Sequence, residues 1–201
     1  MDSSTLTFYE ENAKVLSPLY ERADMSRFYE RVNVLLHGSG RVLDVGCGEG
    51  RDVRALTSMG YDVFGCDASE SMIRLAKHKA QSGINRYFLK AFPLCKDDEF
   101  LHEQFDLVYS HAMIMHMKQI ERAETIKQMA ALVKDDKYLV LSWCNRDSVD
   151  ERIYESIDIA EINESITGNG MRIIALEEDD DSIGRQIKWL NLMARKDVDK
   201  R

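Results

Sequence analysis

Three glycines and two carboxylates are the residues of this 201-residue chain best placed to do chemistry. VLDVGCGEGR, Val42 to Arg51, reads as a strand that breaks at Gly46, Gly48 and Gly50 and resumes as a helix. Glycine tolerates backbone angles closed to other residues and lets a ligand approach the main chain. The helix that follows begins with N–H groups that have no partner inside it. Nicotinamide, flavin and nucleotide sites all share such turns, so the acids must discriminate. Asp67 ends the next strand, about twenty residues on, where a carboxylate accepts hydrogen bonds from both hydroxyls of an adenosine ribose. Asp44 lies within the first strand, two residues before Gly46.

Asp44 sets the sign of the ligand. A dinucleotide brings a pyrophosphate to this turn, and two like charges about 5 Å apart at an effective dielectric of about 20 repel by roughly 3 kcal/mol. S-adenosylmethionine places an ammonium and a sulfonium there, which Asp44 attracts. The spacing also departs from GxGxxG, because position 51 is Arg. A purely structural reading stands beside this one: Asp44 capping amides of the turn, and Asp67 capping a helix that starts at Ser69.

His111 and His116 are the candidate bases, followed by Tyr9. As a metal pair the two histidines lack a third ligand, and no metal is expected. Cys47, Cys66, Cys95 and Cys144 form no CxxC pair and read as small buried hydrophobes in a reducing compartment. Twenty-seven basic against thirty-five acidic residues give a formal charge of −8, which weighs against a nucleic-acid partner. No apolar run approaches the roughly 20 residues that span a bilayer. The opening MDSSTLTFYEENAK has neither a basic start nor an apolar stretch, so a cytoplasmic protein without a membrane partner is expected.

The elements that must position these groups follow from periodicity. Residues 1–37 are helical in pattern, with Pro18 marking where two short helices meet. RVLDVG and YDVFGCD read as buried strands, followed by helices at Arg51–Met59 and Ser69–Gln81. Arg86–Lys90 is a weaker strand and Phe105–Ala112 a clearer one. Gln119–Val133 is a helix, KDDK a turn and YLVLSW a fifth strand. Val149 to about Ile166 reads as a helix, and Met171–Glu177 and Gln186–Arg195 as the last strands, with the acidic run Glu177–Asp181 a solvated turn between them. Strands alternating with helices imply an α/β fold, a seven-stranded, mostly parallel, doubly wound sheet. The last two strands follow each other too closely for a parallel crossover, so the last is antiparallel. The expected organisation is one domain: an N-terminal helical cap (1–37) on a Rossmann-like unit (38–201).

At these residues the chain resembles the class I (Rossmann-fold) S-adenosylmethionine-dependent methyltransferases, near the small bacterial small-molecule and tellurite-resistance types. The resemblance runs from about Phe8 to Arg195, through VLDVGCGEGRDV, GYDVFGCDASESMI, FDLVYSHAMIMHM, MAALVKDDKYLVLSW and GRQIKWLNLMARK. It implies that Asp44, Gly46, Cys47 and Gly48 line the methionine part, Cys47 through its backbone. Arg51 would reach the cofactor carboxylate, Asp67 hold the ribose, and Ala68 and Met72 flank the adenine. Ser110 and His111 would face the sulfonium, and Tyr9 and Tyr20 fold over the cofactor. Many relatives carry an Asp at the end of the third strand; here the chain reads LKAFPL, leaving backbone and the Phe92 ring for the adenine edge.

The implied reaction is in-line methyl transfer, leaving S-adenosylhomocysteine. The turn after the fourth strand, SHAM, lacks the Asn/Asp-Pro-Pro-aromatic sequence of enzymes that methylate adenine amines. A roof made of the first 37 or so residues and Cys144 to about Ile153 suits a small-molecule acceptor. Other readings remain open: a non-catalytic binder of S-adenosylmethionine or S-adenosylhomocysteine acting through a partner, a methyltransferase of protein or RNA, and a nicotinamide oxidoreductase. Acceptor and oligomeric state have no signature in the sequence.

Overall fold

A computed structural model describes residues 2–80 and 82–198. The β-branched runs become strands of one sheet: β1 (Arg41–Val45), β2 (Asp62–Asp67), β3 (Tyr87–Leu89), β4 (Phe105–His111), β5 (Val133–Trp143), β6 (Met171–Asp180) and β7 (Lys188–Lys196). Their order is β3-β2-β1-β4-β5-β7-β6. β1 to β5 pair in parallel, and β7 runs antiparallel to both β5 and β6. The connection 181–187 is too short to carry a parallel crossover, so the chain returns as a hairpin.

Six helices accompany the sheet: α1 (Ser3–Glu21), α2 (Ser26–Leu36), α3 (Arg51–Ser58), α4 (Glu70–Lys79), α5 (Gln119–Leu132) and α6 (Ile159–Thr167). The apolar sides of α2, α3 and α4, through Val32, Leu56 and Ala76, pack on one face of the sheet against Val42, Val63 and Leu107. α5 and α6 cover the other through Ile126, Met129, Ile162 and Ile166, against Leu43, Leu139 and Leu192. α1 lies outside this layer, on α4. Glu10 accepts from the backbone N–H groups of Glu70 (2.5 Å) and Ser71 (3.0 Å) at the start of α4, and Lys79 near its end donates to Ser17 Oγ. A carboxylate at a helix N-terminus is favoured by the free amides there.

Several expectations need correction. α1 runs unbroken through Pro18; the change of direction comes at residues 22–25, where Asp24 Oδ1 accepts from Ser26 N at 2.9 Å. Pro18 sits in the last turn, where Ala13 and Ser17 bury the helix face that holds it in place. The stretch Val149–Ile166 is helical only from Ile159. Before that an extended loop is fixed by contacts outside itself: Ile153 N to Thr5 Oγ1, Glu155 N to Met115 O, and Ile157 N to Asn145 Oδ1. These distant partners satisfy backbone groups that a helix would have satisfied locally. KDDK is not a free turn but an irregularity inside β5, with Asp136 at φ +63°. The acidic run is no solvated turn. β6 continues as far as Asp180, with Glu177, Glu178 and Asp180 still exposed to solvent, and Arg27 and Arg31 of α2 bind Asp179 and Glu177. Cys95 is exposed, unlike the other three cysteines. Gln81, the expected end of α4, lies outside the described residues, as do Met1 and residues 199–201.

The strand order reverses between β1 and β4. That places a crevice at their carboxyl ends, where ligands of open α/β sheets bind.

Candidate active site

A cavity of about 460 Å³ occupies this crevice, within the range of roughly 300–1,000 Å³ usual for small-molecule sites. Its floor is the glycine-rich turn. The backbone N–H groups of Gly46 and Cys47 donate to Cys66 O on β2, which closes the turn against the sheet. Gly50 is required sterically, because at φ +77° a Cβ there would lie 2.6 Å from the Tyr87 ring. Gly48 is different. It too has a positive φ, +54°, but a Cβ there would meet nothing within 4 Å, so its backbone borders open space.

Asp44 reaches the cavity from β1. It is 3% exposed, and the buried Tyr109 hydroxyl is its hydrogen-bonding neighbour. Burial and the neighbouring charge of Asp52 push its pKa well above the usual carboxylate range. Asp67, at the end of β2, accepts from Gly48 N through Oδ2 and from Ser69 N through Oδ1, each at 2.8 Å. Each oxygen keeps a second lone pair, and the carboxylate is aimed at the cavity rather than withdrawn from it. Burial raises its pKa as well.

Asp52, which the sequence reading passed over, is the third acid of the site. It accepts from Tyr29 Oη at 2.7 Å and from Arg51 through two bonds of 2.8 and 2.9 Å. Burial alone would raise its pKa, but the His111 ring, 3.5 Å away, and the Arg51 guanidinium outweigh it and hold the group ionised. Its adjacency to Arg51 is visible in the sequence; the closing of that pair into a bidentate bridge is not. Arg51 is thereby turned onto Asp52 and the Tyr20 carbonyl, which together take three of its five donors.

Gly46, Cys47, Met72, Tyr9, Tyr20, His111 and His116 all border the cavity. Ala68 and Phe92 line a smaller cleft of about 20 Å³ that adjoins it, sharing Gly46, Asp67 and Met113. Ser110 does not reach either. Alternation along β4 sends His111 to the cavity and buries Ser110 completely, so the expectation that it faces the sulfonium region is corrected. His111 packs edge-on against Phe28, with ring centroids 4.1 Å apart.

His116 sits on a 3-10 turn, Ile114–His116, and is 2% exposed. Its Nδ1 lies 2.7 Å from Ile153 O and must carry the proton, which leaves Nε2 to accept from Tyr9 Oη at 3.2 Å. Burial, with the positive charge of Arg152, pushes its pKa down to about 4. The imidazole is neutral at physiological pH. Buried Arg122 fixes this turn by donating to Met117 O at 2.8 Å while pairing with Glu161.

The roof is larger than the sequence implied. Beside α1 and the loop after β5, the β6–β7 turn closes one side through Asp181, Arg185 and Trp189, and Ser182 Oγ accepts from Asp24 N. Among the described residues no group of three or more His, Cys, Asp or Glu could hold a metal ion, and no helix is long and apolar enough to cross a membrane.

A doubly wound sheet with a 3-2-1-4-5-7-6 strand order and an acid beside a glycine-rich turn defines the class of Rossmann-like S-adenosylmethionine-binding folds. Comparison agrees: residues 42–136 match the family described as Methyltransferase domain. Residues 42–136 thus carry a methyltransferase domain, and the surrounding fold is that of the class I S-adenosylmethionine-dependent methyltransferases; placement near the tellurite-resistance type is not supported further. It is 34% identical over 136 residues to a ubiquinone biosynthesis O-methyltransferase of Coxiella burnetii, covering 66% of this chain and 55% of that protein. The chain thus spans little more than half the length of that relative. Among solved structures it is similar to the Burkholderia thailandensis 1,6-didemethyltoxoflavin-N1-methyltransferase bound to 1,6-didemethyltoxoflavin and S-adenosylhomocysteine. There the TM-score is 0.75 at 16% identity, covering 98% of this chain and 88% of that one. It is also similar to the Synechocystis magnesium protoporphyrin IX methyltransferase with bound S-adenosylmethionine, with TM-score 0.65 at 21% identity, covering 92% and 79%. At these identities the structures speak for the fold.

Proposed function

We propose that the chain transfers a methyl group from S-adenosylmethionine to a small molecule. The carrying observation is Asp44: a buried carboxylate with the Tyr109 hydroxyl as its hydrogen-bonding neighbour and no cation paired to it among the described residues, bordering the cavity beside a glycine whose backbone faces open space. A buried acid in that state is unfavourable as an ion unless a cationic group meets it. The ammonium end of the donor is such a group. Asp67, already oriented by two amides, offers its remaining lone pairs to the ribose hydroxyls, and the cleft between Ala68 and Phe92 continues toward the adenine position.

When bound, the donor supplies an activated methyl: the S–C bond breaks with its electron pair staying on sulfur while an acceptor lone pair forms the new bond. The chain's residues supply alignment and exclusion of water. An O–H or N–H acceptor also loses a proton. Tyr9, which borders the cavity and donates to the fixed, neutral His116, would take that proton on its Oη while passing its own to His116 Nε2. Arg152 and Tyr20 are also hydrogen-bonded to the Tyr9 hydroxyl. His111, beside the ionised Asp52, is occupied with holding that acid and is placed less well for this role.

Thermal denaturation with S-adenosylhomocysteine and with NAD tests the donor. At a hundredfold excess over Kd, a ligand stabilises by about 2.7 kcal/mol. S-adenosylhomocysteine should raise Tm and NAD should not, and Asp67→Ala should erase the shift. Stabilisation by NAD alone would refute the donor assignment, and an unchanged shift in Asp67→Ala would refute the ribose assignment.

A further inference from the structure

The two ends of the cavity carry different charged groups. At the glycine turn stand Asp44 and Asp67, with Arg51 matched by Asp52. At the far end, under α1, the loop after β5 and the β6–β7 turn, three guanidiniums line the wall, Arg146, Arg152 and Arg185, beside the carboxylates Asp179, Asp180 and Asp181. All three act on the buried Cys144 thiol between them. Arg152 is matched by Asp150 at 2.5 Å and Arg185 by Asp181 at 2.6 Å. Arg146 is not matched. Its Nε reaches only the Asp147 carbonyl, at 3.4 Å, its guanidinium lies 5.0 Å from the Tyr154 ring centroid, and among the described residues no carboxylate is within ion-pair distance.

An open guanidinium on a cavity wall stands out in a chain with eight more acidic than basic residues. The planar fork of arginine fits a carboxylate through two parallel hydrogen bonds. The surroundings narrow the rest of the ligand. Tyr9, Tyr20 and Tyr154 border the same end and present flat, apolar faces with hydroxyls raised in pKa by burial, hence neutral.

Resting on the methyl-transfer reading above, we propose that the acceptor is a small aromatic or conjugated acid whose carboxylate is held by Arg146. Its ring lies among Tyr9, Tyr20 and Tyr154, and its methylated hydroxyl or amine is turned toward the donor end. The cavity sorts its two substrates by charge: the cationic donor at the aspartates, the anionic acceptor at the arginine.

The test uses the full chain, methyl-labelled S-adenosylmethionine and a deproteinised cell extract divided on an anion exchanger at neutral pH. Label should be transferred to molecules in the retained, anionic fractions. Arg146→Ala should raise the KM for the active fraction about 10- to 100-fold, as for loss of a charge-assisted hydrogen bond, and leave the KM for donor and the binding of S-adenosylhomocysteine unchanged. Arg146→Lys should recover part of the loss, which a merely structural role would not predict. Acceptor activity confined to the unretained fractions overturns the proposal. So does an Arg146→Ala effect on donor binding, which would assign the guanidinium to the donor's own carboxylate. If no fraction accepts label while S-adenosylhomocysteine still binds, the acceptor proposal fails and the donor site stands. If S-adenosylhomocysteine does not bind, the donor reading itself has failed.

Discussion

Replacing Asp44 by asparagine separates the electrostatic reading of the site from the structural one, because the two predict opposite signs. The side chain keeps its shape and loses its charge. In the free protein the Asp44 carboxyl is 3% exposed, beside the Tyr109 hydroxyl and close to ionised Asp52, so it holds its proton well above the usual carboxylate range. Asparagine removes the cost that folding bears at neutral pH, either of desolvating the ion beside Asp52 or of holding a proton the unfolded chain would release. We expect the free protein to gain about 1–3 kcal/mol, where each kcal/mol is worth roughly 2–4 °C in Tm for a chain of this size. Donor binding moves the other way. A charge-assisted contact to a cationic group is worth about 1.5–3 kcal/mol, so affinity should fall about 10- to 150-fold.

The pH dependence fixes the sign further. A folded-state pKa raised above the unfolded value of 3.8 means that the folded protein holds the proton more tightly. The stability associated with the protonated acid is full below the unfolded pKa and is lost as pH rises through the folded pKa. The stabilisation of Asp44→Asn over the natural sequence should therefore be small in acid and grow toward neutral pH. Binding of a cation needs the ionised acid, so calorimetry in buffers of different ionisation enthalpy should show proton release on binding. S-adenosylhomocysteine lacks the positive sulfur of the donor but keeps the ammonium. Equal loss for both would place the ammonium at Asp44, and loss for S-adenosylmethionine alone would place the sulfonium there. A variant that is less stable than the natural chain, with donor affinity intact, would refute the argument and leave Asp44 as a cap of the turn.

Three further substitutions probe the frame around this centre. His116, with its folded pKa near 4 against an ordinary 6.5, should cost the protein stability on the order of 3 kcal/mol as pH falls from 6.5 to 4; His116→Gln should flatten that part of the urea midpoint against pH profile. Gly50→Ala adds both a left-handed non-glycine residue and a clash with the Tyr87 ring, and should lower stability by about 2–3 kcal/mol in urea titration. Arg122→Met leaves Glu161 without its partner and Met117 O without its donor, so a loss of about 3–5 kcal/mol is expected. A near-neutral Arg122→Met would show that the turn carrying His116 is held by apolar packing instead.

The strands and the site floor were legible because their determinants are local. Val42–Val45 and Asp62–Asp67 are short, mostly apolar runs next to glycine-bearing turns, and their buried positions mark them as strands inside a sheet. The direction of β7 followed from chain length alone: residues 181–187 cannot cross a sheet. Asp44 and Asp67 were legible for a related reason, since a residue's distance from a strand end fixes where it emerges. What failed depends on contacts far apart in sequence. Residues 149–158 have helical periodicity, yet Thr5, Met115 and Asn145 hold their backbone in an extended path. Glu177 and Asp179 look like solvent-facing charges until Arg27 and Arg31, nearly 150 positions earlier, are brought beside them.

The same division explains which half of the cavity the sequence could describe. The donor end is written into one continuous segment, Asp44 to Met72, so its chemistry could be read before its geometry. The opposite end is assembled from α1, the 3-10 turn, the loop after β5 and the β6–β7 turn, four segments with no common motif. Ser110 and His111 show how fine the distinction is: one step along β4 separates a fully buried hydroxyl from a ring on the cavity wall. Arg146 is one of 27 basic residues, and nothing about its neighbours in the chain marks it. Only the fold reveals that Arg152 and Arg185 have found carboxylates and that it has not, and that difference is the observation on which its proposed role toward the acceptor rests.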